Sequence, residues 1–218
     1  MVPSHMEPQN DTSRNPVHLP YSPEDPWDDG LTDTYQYTPI TNSGGTRLLR
    51  LLPSTQPDAP IRCSLFHYSP PTNVSLGTDP YEALSYVWGN ELHRRGILID
   101  QYWFEVTLNL YDALASLRHP VLERVLWVDA LCIDQQNNVE KGQQVASMAS
   151  VYARANRVIV WLGSAASGSD EALEIISSAG SQESSDWSGD SRMTCVNSLL
   201  QRPWFERIWV CGPVLLLE

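Results

Sequence analysis

Cationic side chains are scarce in this sequence. Against 26 aspartates and glutamates stand 14 lysines and arginines, a formal charge of −12. Nucleic acid and anionic membrane both select for a basic surface, so neither is expected as a partner. Cysteine is sparse as well. Cys63, Cys132, Cys195 and Cys211 lie far apart and form no C-x-x-C pair, which argues against a thiolate zinc site and fits a reducing compartment. His67, His93 and His119 fall in unrelated segments without an i, i+4 partner, so no metal site is expected. No apolar run approaches the length that spans a membrane. The N-terminus is rich in proline and aspartate where a secretory leader would be apolar, and a cytoplasmic location is expected. G-x-G-x-x-G, P-loop and G-x-S-x-G motifs are all missing, so the common nucleotide and hydrolase signatures give no lead.

What is present divides the 218 residues into a tail and one domain. Residues 1–45 carry repeated prolines and the acids Glu24, Asp25, Asp28 and Asp29 with few aliphatics. Such a segment buries too little apolar surface to offset its ordering entropy, so disorder is expected there. Order is expected over 46–218, beginning with TRLLRLLP and the alternating IRCSLFHY, which read as paired strands. YEALSYVWG reads as a buried strand, GILIDQYWFEV as a hairpin around Asp100 and Gln101, and LNLYDALASLR as a helix. The apolar runs VLWVDALCI and RVIVWLG flank a helix over 138–156 whose Val145, Met148, Ala149 and Tyr152 share a face. Continuous apolar strands around an amphipathic helix are the pattern of a parallel βαβ crossover. Beyond it come a short helix (DEALEIISSA), a polar loop, a further helix, a turn at Pro203 and a last strand.

The expected fold class is therefore α/β, a three-layer, mainly parallel sheet with helices on both faces, plus an added N-terminal strand pair or hairpin. In such folds ligands bind outside the carboxyl ends of the strands. That rule selects Ser85, Tyr86 and Trp88 at the end of one strand and Asp129 and Asp134 at another. Asp129, read as lying within its strand, needs a partner, because an unpaired buried charge is costly. Helical phase turns Lys141 toward the same side, where it would reach Asp129 or a bound anion. The plainer reading of these residues is an internal ion pair and an Asx-type helix entry. Glu140 sits in the first helical turn, where its charge suits the helix dipole, and by phase it lies off the core stripe. Asp129 and Glu140 are the candidate catalytic acids, with structural roles as the alternative for each. Cys132 reads as a small core residue.

Taken in order, YEALSYVWG, the hairpin with VTLNLYDALASLR, LWVDALCIDQ, EKGQQVASMASVYARANRVIVWLG and RPWFERIWV resemble the heterokaryon-incompatibility (HET) domain of filamentous fungi over about 81–210. The resemblance implies a cytoplasmic protein of fungal non-self recognition and programmed cell death. Its partners would be other incompatibility proteins or further copies of itself. HET domains are in turn similar to TIR domains, whose first strand ends in Ser-Tyr or Ser-Phe, as at Ser85 and Tyr86. NAD-cleaving TIR domains carry their catalytic Glu four positions after a Trp, and HET domains usually read W-V-x-Q-E there. This chain has Trp209, Val210, Cys211, Gly212 and Pro213, so Pro213 stands where the resemblance places the acid.

The resemblance thus implies NAD as a substrate rather than a cofactor, with little or no hydrolysis by this chain. The C-terminal end reads as incomplete relative to the family. The rival expectations are a non-enzymatic interaction or oligomerisation module and a nonfunctional truncated remnant.

Overall fold

The computed structural model describes residues 35–42, 44–71, 77, 79–166, 168–179 and 190–206. Residues 35–42, within the segment expected as tail, are among those described, and Tyr35 packs against the core. The remainder of the expected tail, the last expected strand, and Trp209 through Pro213 lie outside the described residues.

Seven strands form one sheet in the order β5-β4-β2-β1-β6-β3-β7. They are β1 (Thr46–Leu51), β2 (Arg62–Tyr68), β3 (Asp79–Tyr86), β4 (Arg94–Ile99), β5 (Tyr102–Thr107), β6 (Arg124–Trp127) and β7 (Ala155–Trp161). The α/β class is as expected, but the sheet is mixed rather than mainly parallel. β3 pairs in parallel with β6 and β7, and β2 with β4. The pairings of β1 with β2, β1 with β6 and β4 with β5 are antiparallel. Nor is the N-terminal pair an appendage, since β1 is the middle strand. Its Leu48, Leu49 and Leu51 are fully buried, because a central strand is covered on both faces.

The β4–β5 hairpin turns at Asp100 and Gln101, both with positive φ (49° and 76°). Two left-handed residues in a two-residue loop match the twist of the flanking strands. The turn is held from outside too, because the Asp100 amide donates to the Cys63 carbonyl at 3.0 Å and its carboxylate accepts from the Leu65 amide at 3.2 Å. Next comes helix α1 (Leu108–Leu117), begun by Thr107, whose hydroxyl accepts from the Leu110 amide. Leu110, Ala113 and Leu114 form its buried stripe.

Two expectations in the βαβ region change. The run VLWVDALCI is not one strand: β6 ends at Trp127, and Asp129–Cys132 make a single helical turn, α2. Asp, Ala and Leu at its centre lack the β-branching that favours a strand, and the turn reverses the chain toward the next helix. That helix, α3 (Asn138–Arg154), is capped by Asn137, whose side chain accepts from the Val139 and Glu140 amides. Its buried side is Glu140, Gln144, Val151 and Tyr152, whereas Val145 and Ala149 face solvent. Tyr152 reaches the Leu84 carbonyl at 3.1 Å and packs edge-on against Trp127. The helices α4 (Ser169–Ala179) and α5 (Asp190–Leu200) pack on each other, and a 3-10 turn, Pro203–Glu206, follows. Arg202 ties this region back to the sheet by donating to the Leu162 carbonyl and the Ser169 hydroxyl.

Gly96 in β4 has a steric reason to be glycine, since a Cβ there would lie 1.7 Å from Cζ2 of Trp103. Gly96→Ala is expected to force the indole off β4 and to lower stability by about 1–3 kcal/mol. Urea denaturation followed by tryptophan fluorescence measures it, and an unchanged midpoint would mean that the ring moves aside at no cost.

Candidate functional site

The parallel strands β3 and β6 leave the sheet side by side, because their register sets Ala83 opposite Trp127. Just past that level lie Ser85, Tyr86 and Trp88 on one chain and Asp129 on the other. These expected rim residues do come together, but mainly to bind one another. Trp88 donates its indole N–H to Asp129 Oδ2 at 3.0 Å, and Asp129 Oδ1 accepts from the Ala130 amide at 2.8 Å. Asp129 is thus the first residue of a helical turn rather than a strand residue, and its neighbour is an indole rather than Lys141. Ser85 Oγ accepts from the indole of Trp204 at 3.1 Å, which seats the 3-10 turn on the end of β3. Tyr86 is fully buried in the core. At the end of β7, Trp161 donates to Asn109 Oδ1 at 3.0 Å, and the Asn109 amide nitrogen donates in turn to the Val87 carbonyl. Three indoles therefore cross-link the carboxyl ends of the parallel strands.

The second cluster surrounds Glu140. Expected in the first helical turn and off the core stripe, Glu140 is buried and forms a bidentate ion pair with Arg47, at 2.6 and 2.9 Å. Arg47, which sequence reasoning did not single out, is 1% exposed. Its Nη1 also donates to the Cys132 carbonyl at 3.1 Å, and its Nη2 to the Thr38 carbonyl at 2.6 Å. The guanidinium lies 4.9 Å from the ring centre of Tyr37, and the Tyr37 hydroxyl donates to the Leu131 carbonyl at 3.0 Å. Glu140 Oε1 accepts further from the Asp134 amide at 2.9 Å. Asp134 itself accepts from the Gln136 amide at 3.0 Å, the Asx-type turn that opens α3. Lys141 is half-buried and makes no ion pair among the described residues.

These surroundings set the acid–base character of the groups. Burial pushes the Glu140 carboxyl up, but the Arg47 hydrogen bonds, the Asp134 amide and the Arg47 charge outweigh it and hold the group below its ordinary value. A carboxylate so stabilised is a poor general base. Burial pushes the Cys132 thiol up to about 12, so it stays protonated and inert as a core residue. Among the described residues, no group of three or more His, Cys, Asp or Glu is placed to hold a metal ion, and no helix is long and apolar enough to cross a membrane.

Glu140→Gln leaves the Arg47 charge buried without its counter-ion, and is expected to cost about 3–5 kcal/mol. The pair also makes stability depend on pH. Because the folded value of Glu140 is depressed, its contribution is present above the unfolded carboxylate value of about 4.3 and is lost as pH falls through the folded value. As pH is lowered from about 7 to about 3, urea midpoints are expected to fall less steeply in the Gln variant than in the wild type. Ser85→Ala orphans the buried Trp204 indole and is expected to cost about 1–3 kcal/mol in the same assay.

Residues 81–212 match the family described as Heterokaryon incompatibility protein (HET). A relative from Neurospora crassa, "Heterokaryon incompatibility protein 6, OR allele", is 33% identical over 159 residues, covering 66% of this chain. The chain spans about a fifth of that relative's length, 22%. No solved structure matches. With the family's match running from the start of the core strand β3 past the 3-10 turn that Trp204 pins to it, this chain belongs to the heterokaryon incompatibility (HET) family.

Proposed function

We propose that the chain serves fungal heterokaryon incompatibility as a non-enzymatic interaction module, whose folded surface binds another incompatibility protein or a second copy of itself to bring about cell death in the cytoplasm. The observation that carries this reading is the state of the two candidate acids. Glu140 is buried, ionised and held in two hydrogen bonds by Arg47. The carboxylate of Asp129 accepts from an indole and from a backbone amide. General acid–base work needs a carboxyl that reaches substrate and has a value near the working pH, and Glu140 meets neither condition. Pro213, where the family resemblance places the TIR-type Glu, points the same way.

A second reading, a TIR-like site for NAD or a related nucleotide, keeps one supporting observation. Ser85, Trp88 and Asp129 meet at the carboxyl ends of adjacent parallel strands, where α/β folds bind ligands. In that reading NAD is a substrate, Trp88 supplies a stacking face, and Lys141, which has no ion-pair partner among the described residues, meets an anionic group. The two readings part on one variant. Asp129→Asn keeps an oxygen to accept the Trp88 indole but removes the charge. The interaction module is expected to release no nicotinamide from NAD, and the folded Asn variant to kill a fungal host as the wild type does. Nicotinamide release by the wild type that disappears in the variant would establish the nucleotide site instead.

A further inference from the structure

The segment from Tyr35 to Asn42 crosses the end of β2 as an irregular strap, held without any β-ladder. Two side-chain hydrogen bonds close its seam with β2. His67 Nε2 lies 3.0 Å from Thr38 Oγ1 and 3.3 Å from the Thr38 carbonyl. The direction of the shorter bond follows the imidazole tautomer, and with the proton on Nε2, which faces the Thr38 carbonyl as well, the Thr38 hydroxyl oxygen is the acceptor. Further along, Asn42 Nδ2 donates to Ser69 Oγ at 2.8 Å. The seam therefore holds one hydroxyl acceptor on each side, each facing an N–H donor on the other.

Both hydroxyl residues are exposed, and both precede proline, as Thr38-Pro39 and Ser69-Pro70. In the whole sequence a Ser or Thr precedes Pro only at these two positions and at Ser22. The residue before a proline is held in extended conformation, the form in which a kinase cleft takes its substrate. That two such dipeptides, far apart in sequence, meet on one seam and place their hydroxyls opposite N–H donors is the juxtaposition from which we infer a modification site. We propose that Thr38 and Ser69 are phosphorylated by a proline-directed Ser/Thr kinase and that the phosphates clamp the strap to β2.

In each transfer the bond from the γ-phosphorus of ATP to its bridging oxygen breaks and a bond from that phosphorus to the Thr38 or Ser69 oxygen forms. The hydroxyl proton passes to the kinase's base, and ADP leaves. The new group carries about −1.5 to −2 charges and three strong acceptor oxygens. At Thr38 it meets the His67 ring N–H, whose bond to the anionic oxygen is charge-assisted. At Ser69 it meets the Asn42 amide. Access of the kinase to Thr38 requires the strap to lift locally, which releases the Arg47 bond to the Thr38 carbonyl and the Tyr37 bond to the Leu131 carbonyl together with the seam.

The experiment treats the folded chain with ATP and a proline-directed kinase, maps phosphate by mass spectrometry and follows backbone hydrogen exchange of residues 35–42. Phosphate is expected on Thr38 and Ser69, with exchange in the strap slowed by about tenfold. His67→Ala is expected to leave Thr38 phosphorylation in place and to abolish its share of the slowing, measured in a Ser69→Ala background. Asn42→Ala is expected to do the same for Ser69 in a Thr38→Ala background. Phosphate on neither residue, phosphate on Ser22 alone, or strap exchange that is unchanged or faster after modification would each overturn the proposal. None of these outcomes depends on how the domain acts in incompatibility.

Discussion

A guanidinium removed from water needs oxygens for its N–H groups, and at Arg47 the two terminal nitrogens find them while the buried Nε has no hydrogen-bond partner among the described residues. The residue projects from the middle strand of the sheet, where Leu48 and Leu49 beside it are buried hydrocarbon. Its two terminal nitrogens are matched four times over: by the Glu140 carboxylate twice, by the Cys132 carbonyl and by the Thr38 carbonyl. Those acceptors come from the first turn of α3, the end of α2 and the N-terminal strap. A single buried cation thereby joins three pieces of chain. The geometry also explains why Glu140, Asn137 and Asp134 follow one another closely, since cap, turn and counter-ion must all be met within the entry to one helix.

The same logic of matched polar groups governs the rim at the ends of β3, β6 and β7. Tryptophan contributes a large apolar body and one N–H that needs an acceptor when buried. Here Trp88, Trp161 and Trp204 each place that N–H on a side-chain oxygen of a different segment, and Trp127 places its own on Thr46 Oγ1 at 3.1 Å. The aromatic core and the polar stitching are thus one system. It leaves few unengaged side chains at the crevice, and that is the physical content of reading the surface as an interface rather than a reaction vessel.

Local features were the legible ones. The hairpin is legible from the apolar runs on either side of Asp100 and Gln101, although Gln is no favoured residue at positive φ, and Leu110 and Leu114 announce a buried helical stripe because helix period alone sets their spacing. The phase of α3 was misread for a related reason. Val145 and Ala149 suit a core by chemistry, but the face that meets the sheet carries Glu140, paired with Arg47, and Gln144, whose amide nitrogen donates to the Gly45 carbonyl while its Oε1 has no hydrogen-bond partner among the described residues. Partners separated by 93 and 99 positions leave no trace in a helical window. The Asp129–Trp88 bond was hidden likewise, because the two residues are 41 positions apart. An arginine inside TRLLRLLP is the one signal that pointed at the buried pair, because a basic residue at an alternating core position demands an anion from elsewhere.

The central place of β1 has a consequence for how the chain becomes a protein. β1 and β2 can pair as soon as both have been synthesised, but the other edge of β1 belongs to β6, which is made only after β3, β4, β5 and α1. Until then the edge presented by Leu49, Arg50 and Leu51 is an open ladder of the kind that recruits other strands. The family's matched span begins at Tyr81, beyond both of these strands. Within that span β4 and β5 bond only to each other, and β6, β3 and β7 form a separate group. The matched span is therefore shorter than the hydrogen-bonded sheet, and without β1 and β2 its strands form a sheet in two halves.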